Sequence, residues 1–133
     1  MNYLIDTNIC IYFMKGMYDL SAKFNRVENF IFISEITVAE LKFGVANSEF
    51  PKKNAKALAN FMDEVKVVPI YSALEMYASE KARLRKLGQM VDDFDLLIGV
   101  TAVHNEMVMV TNNTKHLGRI NNISIEDWTQ EVV

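Results

Sequence analysis

Apolar residues occur along the chain in short uninterrupted runs, separated by longer stretches in which apolar and polar positions follow a helical spacing. Four runs predict buried strands and a fifth is a weaker candidate; they cover residues 3–5, 30–33, 67–70, 107–110 and 123–125. The helical stretches cover residues 9–14, 20–27, 34–48, 51–65, 72–87 and 95–104. Continuous apolar strands that alternate with helices indicate a parallel sheet covered on both faces. We therefore predict an α/β fold with three layers, α/β/α, around a mostly parallel sheet of four to five strands.

Polar residues indicate where several of these helices begin. Ser34 follows the second strand and is the natural N-cap of the next helix, which places Glu40 in the interior of that helix. Ser72 and Glu75 have the spacing of a capping box at the start of the fifth helix. Asp95 begins the sixth, nearly all-apolar helix. These helix starts predict where the acidic side chains of Glu40 and Asp95 lie relative to the strands.

Composition narrows the class of protein. The chain has 133 residues, 50% of them hydrophobic, which is enough for one domain spanning residues 1–133. Cys10 is the only cysteine, so an internal disulfide is excluded and a reducing compartment fits best. The longest uncharged apolar run, residues 96–103, is far shorter than the ~20 residues that cross a bilayer. We expect a soluble, cytoplasmic protein with no membrane partner and no signal peptide.

The net charge of the chain excludes fewer classes of function than its composition does. The formal net charge of -3 gives no general basic footprint for nucleic-acid binding. Acids gathered around divalent cations would, however, be neutralised in the working protein. A nucleic-acid substrate is therefore compatible with this charge.

Several polar residues fall where an α/β sheet binds its ligands, at the carboxyl ends of the strands. Asp6 ends the first strand, and Asn113 follows the fourth. Glu40 lies within two turns of the start of the helix after the second strand, and Asp95 opens the helix before the fourth. Three converging carboxylates repel one another, and a hard divalent cation removes that cost. Oxygen ligands favour Mg²⁺ or Mn²⁺ over zinc.

Each acid also has a purely structural interpretation. Asp6 could cap the helix that follows it, and Glu40 could be the capping-box partner of Thr37. Asp95 and its acidic neighbours Asp92 and Asp93 could serve only to stabilise a helix N-terminus. Spacing alone therefore leaves both interpretations open.

Five segments occur together in one order, at residues 3–8, 33–41, 95–99, 110–113 and 125–128. Their sequences are YLIDTN, ISEITVAEL, DLLIG, VTNN and IEDW. In combination they resemble the PIN-domain ribonucleases, and within these the VapC toxins of bacterial toxin–antitoxin pairs. The resemblance covers essentially the whole chain and implies a PIN-like nuclease domain.

The resemblance implies a Mg²⁺-dependent endoribonuclease, with Mn²⁺ as a substitute, that cleaves a structured RNA and so inhibits translation. In the family this RNA is typically a tRNA, often the anticodon stem-loop of the initiator tRNA, or a ribosomal RNA loop. The three family acids fall on Asp6, Glu40 and Asp95, which are the expected catalytic residues and metal ligands. The fourth family position, often Asp, falls on Asn113, whose amide orients a water or phosphate rather than binding metal tightly.

Supporting residues and partners follow from the same resemblance, and the expected RNA contacts follow from their position beside Asn113. Asn8 and Thr111 match supporting positions beside the acids. Lys115 and Arg119 flank Asn113 and are the expected RNA contacts, since phosphates need cations near an acidic site. Such toxins are homodimers, inactivated by a cognate antitoxin whose segment covers the carboxylates.

Two other functions remain open at this point. A non-catalytic PIN-like module could bind RNA or a partner protein without cutting. A phosphatase or receiver-like domain also places an Asp after the first strand. The phosphatase, however, needs a second Asp where this chain has Asn8. The receiver-like domain needs further acids after the strands, of which only Asp6 fits, and it leaves Glu40 and Asp95 unexplained.

Overall fold

The structure is a computed structural model that describes residues 1–27 and 30–130. The strands are β1 (Tyr3–Ile5), β2 (Ile31–Ser34), β3 (Lys66–Val68), β4 (Val108–Val110) and β5 (Ile125–Glu126). The helices are α1 (Thr7–Met14), α2 (Leu20–Arg26), α3 (Glu35–Ala46), α4 (Pro51–Met62), α5 (Leu74–Lys86), α6 (Asp93–His104) and α7 (Thr114–Leu117). A short 3-10 turn, Tyr71–Ala73, precedes α5. The predicted domain of 1–133 also includes 28, 29 and 131–133, which lie outside the described residues.

The five strands of the described chain form one sheet in the order β3-β2-β1-β4-β5. All four pairings are parallel, and Leu4 of β1 lies between Phe32 of β2 and Met109 of β4. The chain runs from β1 outward to β3 and then returns to the other side of β1. This reversal opens a crevice at the carboxyl ends of β1, β2 and β4. The predicted fold class is confirmed, and the sheet is entirely parallel.

Successive strand residues point to opposite faces of the sheet, and each face is covered by helices. Leu4 belongs to a core with Ile98 and Leu84 of α6 and α5. Ile5 belongs to a second core with Leu41 and Phe61 of α3 and α4. These two cores make the three layers. Within the described residues, no helix combines the length and apolar character needed to cross a bilayer.

Of the three helix starts that polar residues predict, one agrees with the structure and two differ. Ser34 caps α3 as predicted, because its Oγ accepts from the Ile36 N–H at 3.1 Å. The Ser72–Glu75 capping box is wrong: Ser72 lies in the 3-10 turn, and α5 begins at Leu74 without a side-chain cap. Helix α6 starts at Asp93, two residues before the predicted start, because the Asp92 carboxylate accepts from the Phe94 N–H.

Candidate active site

Asp6 occupies the crevice at the carboxyl end of β1 and is almost fully buried, with 4% of its surface exposed. One carboxylate oxygen, Oδ1, accepts from the Thr7 N–H at 2.8 Å, so Asp6 does cap α1. The other, Oδ2, accepts from the Thr111 hydroxyl at 2.7 Å. Burial raises the pKa of Asp6, and these two hydrogen bonds act in the opposite direction. The structural and functional interpretations of Asp6 are therefore compatible.

Glu40 lies in the second turn of α3 and is connected to the Asp6 region by Thr7. The Thr7 hydroxyl donates to Glu40 Oε1 at 2.7 Å and lies 3.0 Å from the hydroxyl of Thr37. Since Ser34 is the N-cap of α3, Thr37 is an interior residue and the Thr37–Glu40 capping box is wrong. The Thr7 backbone thus orients Asp6 while its side chain orients Glu40.

Asp95 lies in the first turn of α6 and faces the same crevice. Burial, followed by the negative charges of Asp6, Asp92 and Glu40 in that order, raises the pKa of Asp95 to about 6. The capping role falls on Asp92, and the Asp95 carboxylate instead accepts from the Asn113 amide. The carboxylates of Asp6 at the N-cap of α1, Glu40 in α3 and Asp95 in α6 therefore share one electrostatic environment, as the sequence predicts.

Asn113 joins Asp95 to the Asp6 side of the crevice. Its backbone N–H donates to the Thr111 hydroxyl oxygen at 2.9 Å, and its amide Nδ2 donates to Asp95 Oδ2 at 3.4 Å. The amide oxygen lies 2.8 Å from Nδ1 of His116. A chain of hydrogen bonds therefore connects Asp6, Thr111, Asn113 and Asp95.

The other predicted residues surround this group at different distances from it. Asn8 is exposed and lines a cavity of about 330 Å³ together with Glu40. Lys115 is exposed on α7, two residues beyond Asn113. Arg119 is partly buried, and its guanidinium donates to the Met90 carbonyl at 2.7 Å. Lys115 is thus directed to solvent, whereas Arg119 connects two loops.

Sequence reasoning assigned no role to two contributors to the site, Thr7 and His116, the latter at a position where related chains often have an acid. The signal for Thr7 was its position directly after Asp6, since a hydroxyl there can reach an acid on a neighbouring helix. The signal for His116 was weaker, because its contact with Asn113 depends on the four-residue helix α7, which no hydrophobic periodicity indicates. Both residues orient other site residues through hydrogen bonds.

The donor set fits a hard divalent cation that retains water ligands. Among the described residues, no three Asp, Glu, His or Cys side chains are close enough to form a preformed metal cage. Mg²⁺ rarely uses such cages: it binds one or two carboxylates and fills its other positions with water and substrate phosphate. The mutual repulsion that raises the pKa of Asp95 is the cost that such a cation removes.

Comparison with known proteins agrees with this geometry. The family model of the PIN domain matches residues 3–122. Ribonuclease VapC2 of Rickettsia felis is 33% identical over 134 residues, covering 96% of this chain and 98% of that protein. The tRNA(fMet)-specific endonuclease VapC of Shigella flexneri is 29% identical over 131 residues, covering 97% of this chain and 99% of that protein.

A solved structure extends the likeness to three dimensions. In the DNA-bound VapBC of Salmonella typhimurium, one chain matches with a TM-score of 0.91 and 30% identity, covering 96% of this chain and 98% of that one. Both the sequence and the fold are therefore shared over nearly the full length. The chain belongs to the PIN domain family and, within it, to the VapC ribonucleases.

Proposed function

We propose that this ribonuclease is the toxin of a cytoplasmic toxin–antitoxin pair, and that it inhibits translation by Mg²⁺-dependent cleavage of a structured RNA. The observation that carries the proposal is the hydrogen-bonded group of Asp6, Glu40, Asp95 and Asn113, built from four distant parts of the chain. An acidic crevice of this kind needs a cation before it can accept a phosphodiester.

We assign Asp6 and Asp95 as the principal metal ligands, with Mn²⁺ as a substitute for Mg²⁺. Glu40 completes the ligand set or orients the attacking water. A divalent cation held by these residues would lower the pKa of a water molecule bound to it and would neutralise negative charge on the phosphate. Thr7 and Thr111 fix the carboxylates of Asp6 and Glu40 before substrate binds.

Asn113 and Lys115 complete the proposed site. The Asn113 amide donates toward Asp95 and carries no charge, so it suits a role in holding a water or phosphate oxygen. Lys115 extends to solvent one turn away and suits a phosphate contact. Arg119 is the second proposed phosphate contact; its existing bond to Met90 makes it the less accessible of the two.

We propose tRNA, and the initiator tRNA in particular, as the substrate. The support is the Shigella flexneri relative, which is named as specific for that tRNA and matches nearly the full chain. Cleavage of the initiator tRNA would remove the RNA that begins every protein chain, in agreement with a toxin.

We propose two protein partners: an antitoxin, and a second copy of this chain in a homodimer. The support is the likeness to VapBC complexes. A cavity of about 420 Å³ between α1, α3 and α4 is lined by Ile11, Met14, Leu41, Val45 and Leu58, and it reaches Glu40. An apolar helix in this groove would extend to the carboxylate of Glu40.

The proposed function is tested by incubating the purified, antitoxin-free protein with total bacterial RNA, in Mg²⁺ and in EDTA. We expect discrete fragments that require the metal, and mapping of their ends names the RNA. Asp95→Ala should abolish them. Asp93→Asn is the matched control, since Asp93 lies in the same turn but bonds outward to Lys81 and Tyr77.

Two outcomes would contradict the proposal. Cleavage by Asp95→Ala would show that the site is elsewhere. Intact RNA in every lane, together with RNA binding in a gel-shift assay, would favour the non-catalytic binding module.

A further inference from the structure

Two exposed phenyl rings lie beside the proposed catalytic acids. Phe43, on α3 one turn after Glu40, is 69% exposed, and Phe94, in the first turn of α6, is 49% exposed. Single exposed apolar residues are ordinary on protein surfaces. These two, however, come from different helices and line the same cavity of about 330 Å³. The pair therefore forms a feature of the site rather than two unrelated surface residues.

The chemistry of this cavity selects its occupant. Phe43 and Phe94 provide aromatic walls. The rest of the lining consists of Thr7, Asn8, Ile11, Ala39 and Glu40. The carboxylate of Glu40 repels a phosphate at this position. An aliphatic side chain from a protein would bury the exposed Asn8 amide without offering it a hydrogen-bonding partner, which is unfavourable. A nucleobase is uncharged, stacks on phenyl rings and presents donors and acceptors to Asn8 and Glu40.

We propose that Phe43 and Phe94 hold an unpaired base of the RNA by stacking, and that Asn8 bonds to the edge of that base. The inference rests on the proposed function and narrows its substrate to RNA with an unstacked nucleotide beside the cleaved bond. A base inside a duplex cannot reach the cavity, so a loop or bulge is required. Phe43 and Phe94 are then determinants of specificity.

A binding experiment tests the proposal without relying on cleavage. Two fluorescein-labelled probes are compared by anisotropy in EDTA: octauridylate, and a ribose-phosphate chain of the same length without bases. Both carry the same phosphates, so their affinity ratio reports the contribution of the bases. We expect the wild-type protein to prefer octauridylate by at least about 5-fold, from stacking. Phe43→Ala and the Phe43→Ala/Phe94→Ala double variant should lose this preference.

Two controls accompany these variants. Phe43→Tyr retains a ring and should retain the preference. Tyr71→Ala removes an aromatic residue that is 84% exposed and lies outside the cavity, and it should also retain the preference. Thermal melting of every variant shows that each one folds.

A cleavage experiment then connects the cavity to the reaction. Two oligoribonucleotides covering the mapped cut are made, one lacking the base on the 5′ side of the cleaved bond and the other lacking the base on its 3′ side. We expect one of these two substrates to be cleaved by the wild-type protein with a kcat/KM about 10-fold below that of the intact substrate. The same missing base should have little effect on kcat/KM of the double variant.

The outcomes separate this inference from the proposed function. Absence of cleavage, with the base preference present in the wild type and lost in the variants, would contradict the proposed nuclease activity and support base binding by Phe43 and Phe94. Equal binding of both probes by the wild type would overturn the proposed base binding, as would a preference that survives both substitutions. The latter result, with impaired binding of a partner protein, would assign the rings to that protein.

Discussion

Thr111 connects the two sides of the site through one hydroxyl group. It is fully buried, donates to Asp6 Oδ2 at 2.7 Å and accepts from the Asn113 N–H at 2.9 Å. Its loss would leave a buried carboxylate oxygen and a backbone N–H without these partners.

We predict that Thr111→Val lowers the free energy of unfolding by about 1–3 kcal/mol, because the substitution preserves volume but removes both hydrogen bonds. It should also lower cleavage of the mapped RNA at least about 10-fold, because Asp6 and Asn113 are no longer held together. Urea unfolding and kcat/KM measure the two effects. Thr111→Ser keeps the hydroxyl and should remain near the wild type in cleavage; equal losses in both variants would contradict the argument.

Glu80 of α5 anchors the loops that lead into α6. It is 8% exposed and accepts from Arg83 Nε and Nη2, both at 2.9 Å, and from the Asn121 N–H at 3.1 Å. Arg83 also donates to the Arg119 carbonyl, and Arg119 donates to the Met90 carbonyl. The segment before Asp95 is thereby connected to the end of α7.

The Glu80 network makes stability depend on pH. Hydrogen bonds from Arg83, followed by that from Asn121, lower the pKa of Glu80 from its ordinary value of 4.5. Because the folded state favours the ionised carboxylate, its contribution is complete above about pH 4.5 and is lost as the pH falls through the lowered pKa. We predict that Glu80→Gln loses about 1.5 kcal/mol or more in urea unfolding at pH 7, and that this gap narrows below pH 4.5.

The matched control for Glu80 is the exposed ion pair of its neighbour Lys81 with Asp93 of α6, in which Nζ and Oδ1 lie 2.8 Å apart. Lys81→Gln should change the unfolding free energy little, because solvent screens an exposed ion pair. A gap between the wild type and Glu80→Gln that stays constant below pH 4.5 would contradict the assigned role of the charge.

Helix α6 packs closely against the loop after α7 at Gly99. A methyl group at this position would overlap Ile120 Cδ1 and lie 3.2 Å from Leu117 Cδ2. We predict that Gly99→Val destabilises the protein by about 1–3 kcal/mol, through overpacking. In Gly99→Ala the higher helix propensity of alanine should be largely offset by displacement of Ile120.

Gly44 on α3 is the control for Gly99, because a methyl group there meets nothing within 4 Å. Gly44→Ala should stabilise the protein by up to about 1 kcal/mol in the same urea assay. An equal gain in unfolding free energy from Gly99→Ala and Gly44→Ala would contradict close packing at Gly99, because it would show that the added methyl group fits beside Ile120.

The elements that could be predicted were those with a strong local pattern. The runs around Leu4, Ile33 and Met109 consist of apolar residues with a high strand propensity, and they gave the sheet and the convergence of Asp6, Glu40 and Asp95 at its edge. Parallel strands share one ligand-binding edge, so this convergence needed no side-chain detail. The catalytic and metal-binding roles of these acids stay predictions.

What escaped prediction depends on contacts between distant residues. Helix α7 has four residues, too few to show a periodic pattern, and the Ser72–Glu75 spacing was outweighed by the 3-10 turn that leads into α5. The bond from Thr7 to Glu40 requires α1 and α3 to be already packed. Such contacts belong to the tertiary structure rather than to local sequence.

The acidic crevice lowers the stability of the folded protein as a whole. Burial and the charges of Asp6, Asp92 and Glu40 raise the pKa of Asp95 to about 6, so its ionisation at neutral pH destabilises the folded state relative to the unfolded chain. Removal of this charge should therefore stabilise the protein when no cation is present.

We predict that Asp95→Asn melts at a higher temperature than the wild type in EDTA at pH 7.5. Mg²⁺ or Mn²⁺ at about 100-fold above its Kd adds about 2.7 kcal/mol to the wild type, a rise of several degrees in Tm. The variant should gain much less. Differential scanning calorimetry with both metals measures this, and equal gains in the two proteins would exclude Asp95 as a ligand.

The bond between Thr111 and Asp6 joins residues 105 positions apart, and β1 pairs with β4 beside it. During synthesis Asp6 therefore leaves the ribosome long before its partners exist. A nascent chain, or one interrupted by a stop codon before residue 108, lacks the strand that closes the crevice, together with Thr111 and Asn113. The machinery that translates this message is thus exposed to the completed crevice only after Asn113 has been made.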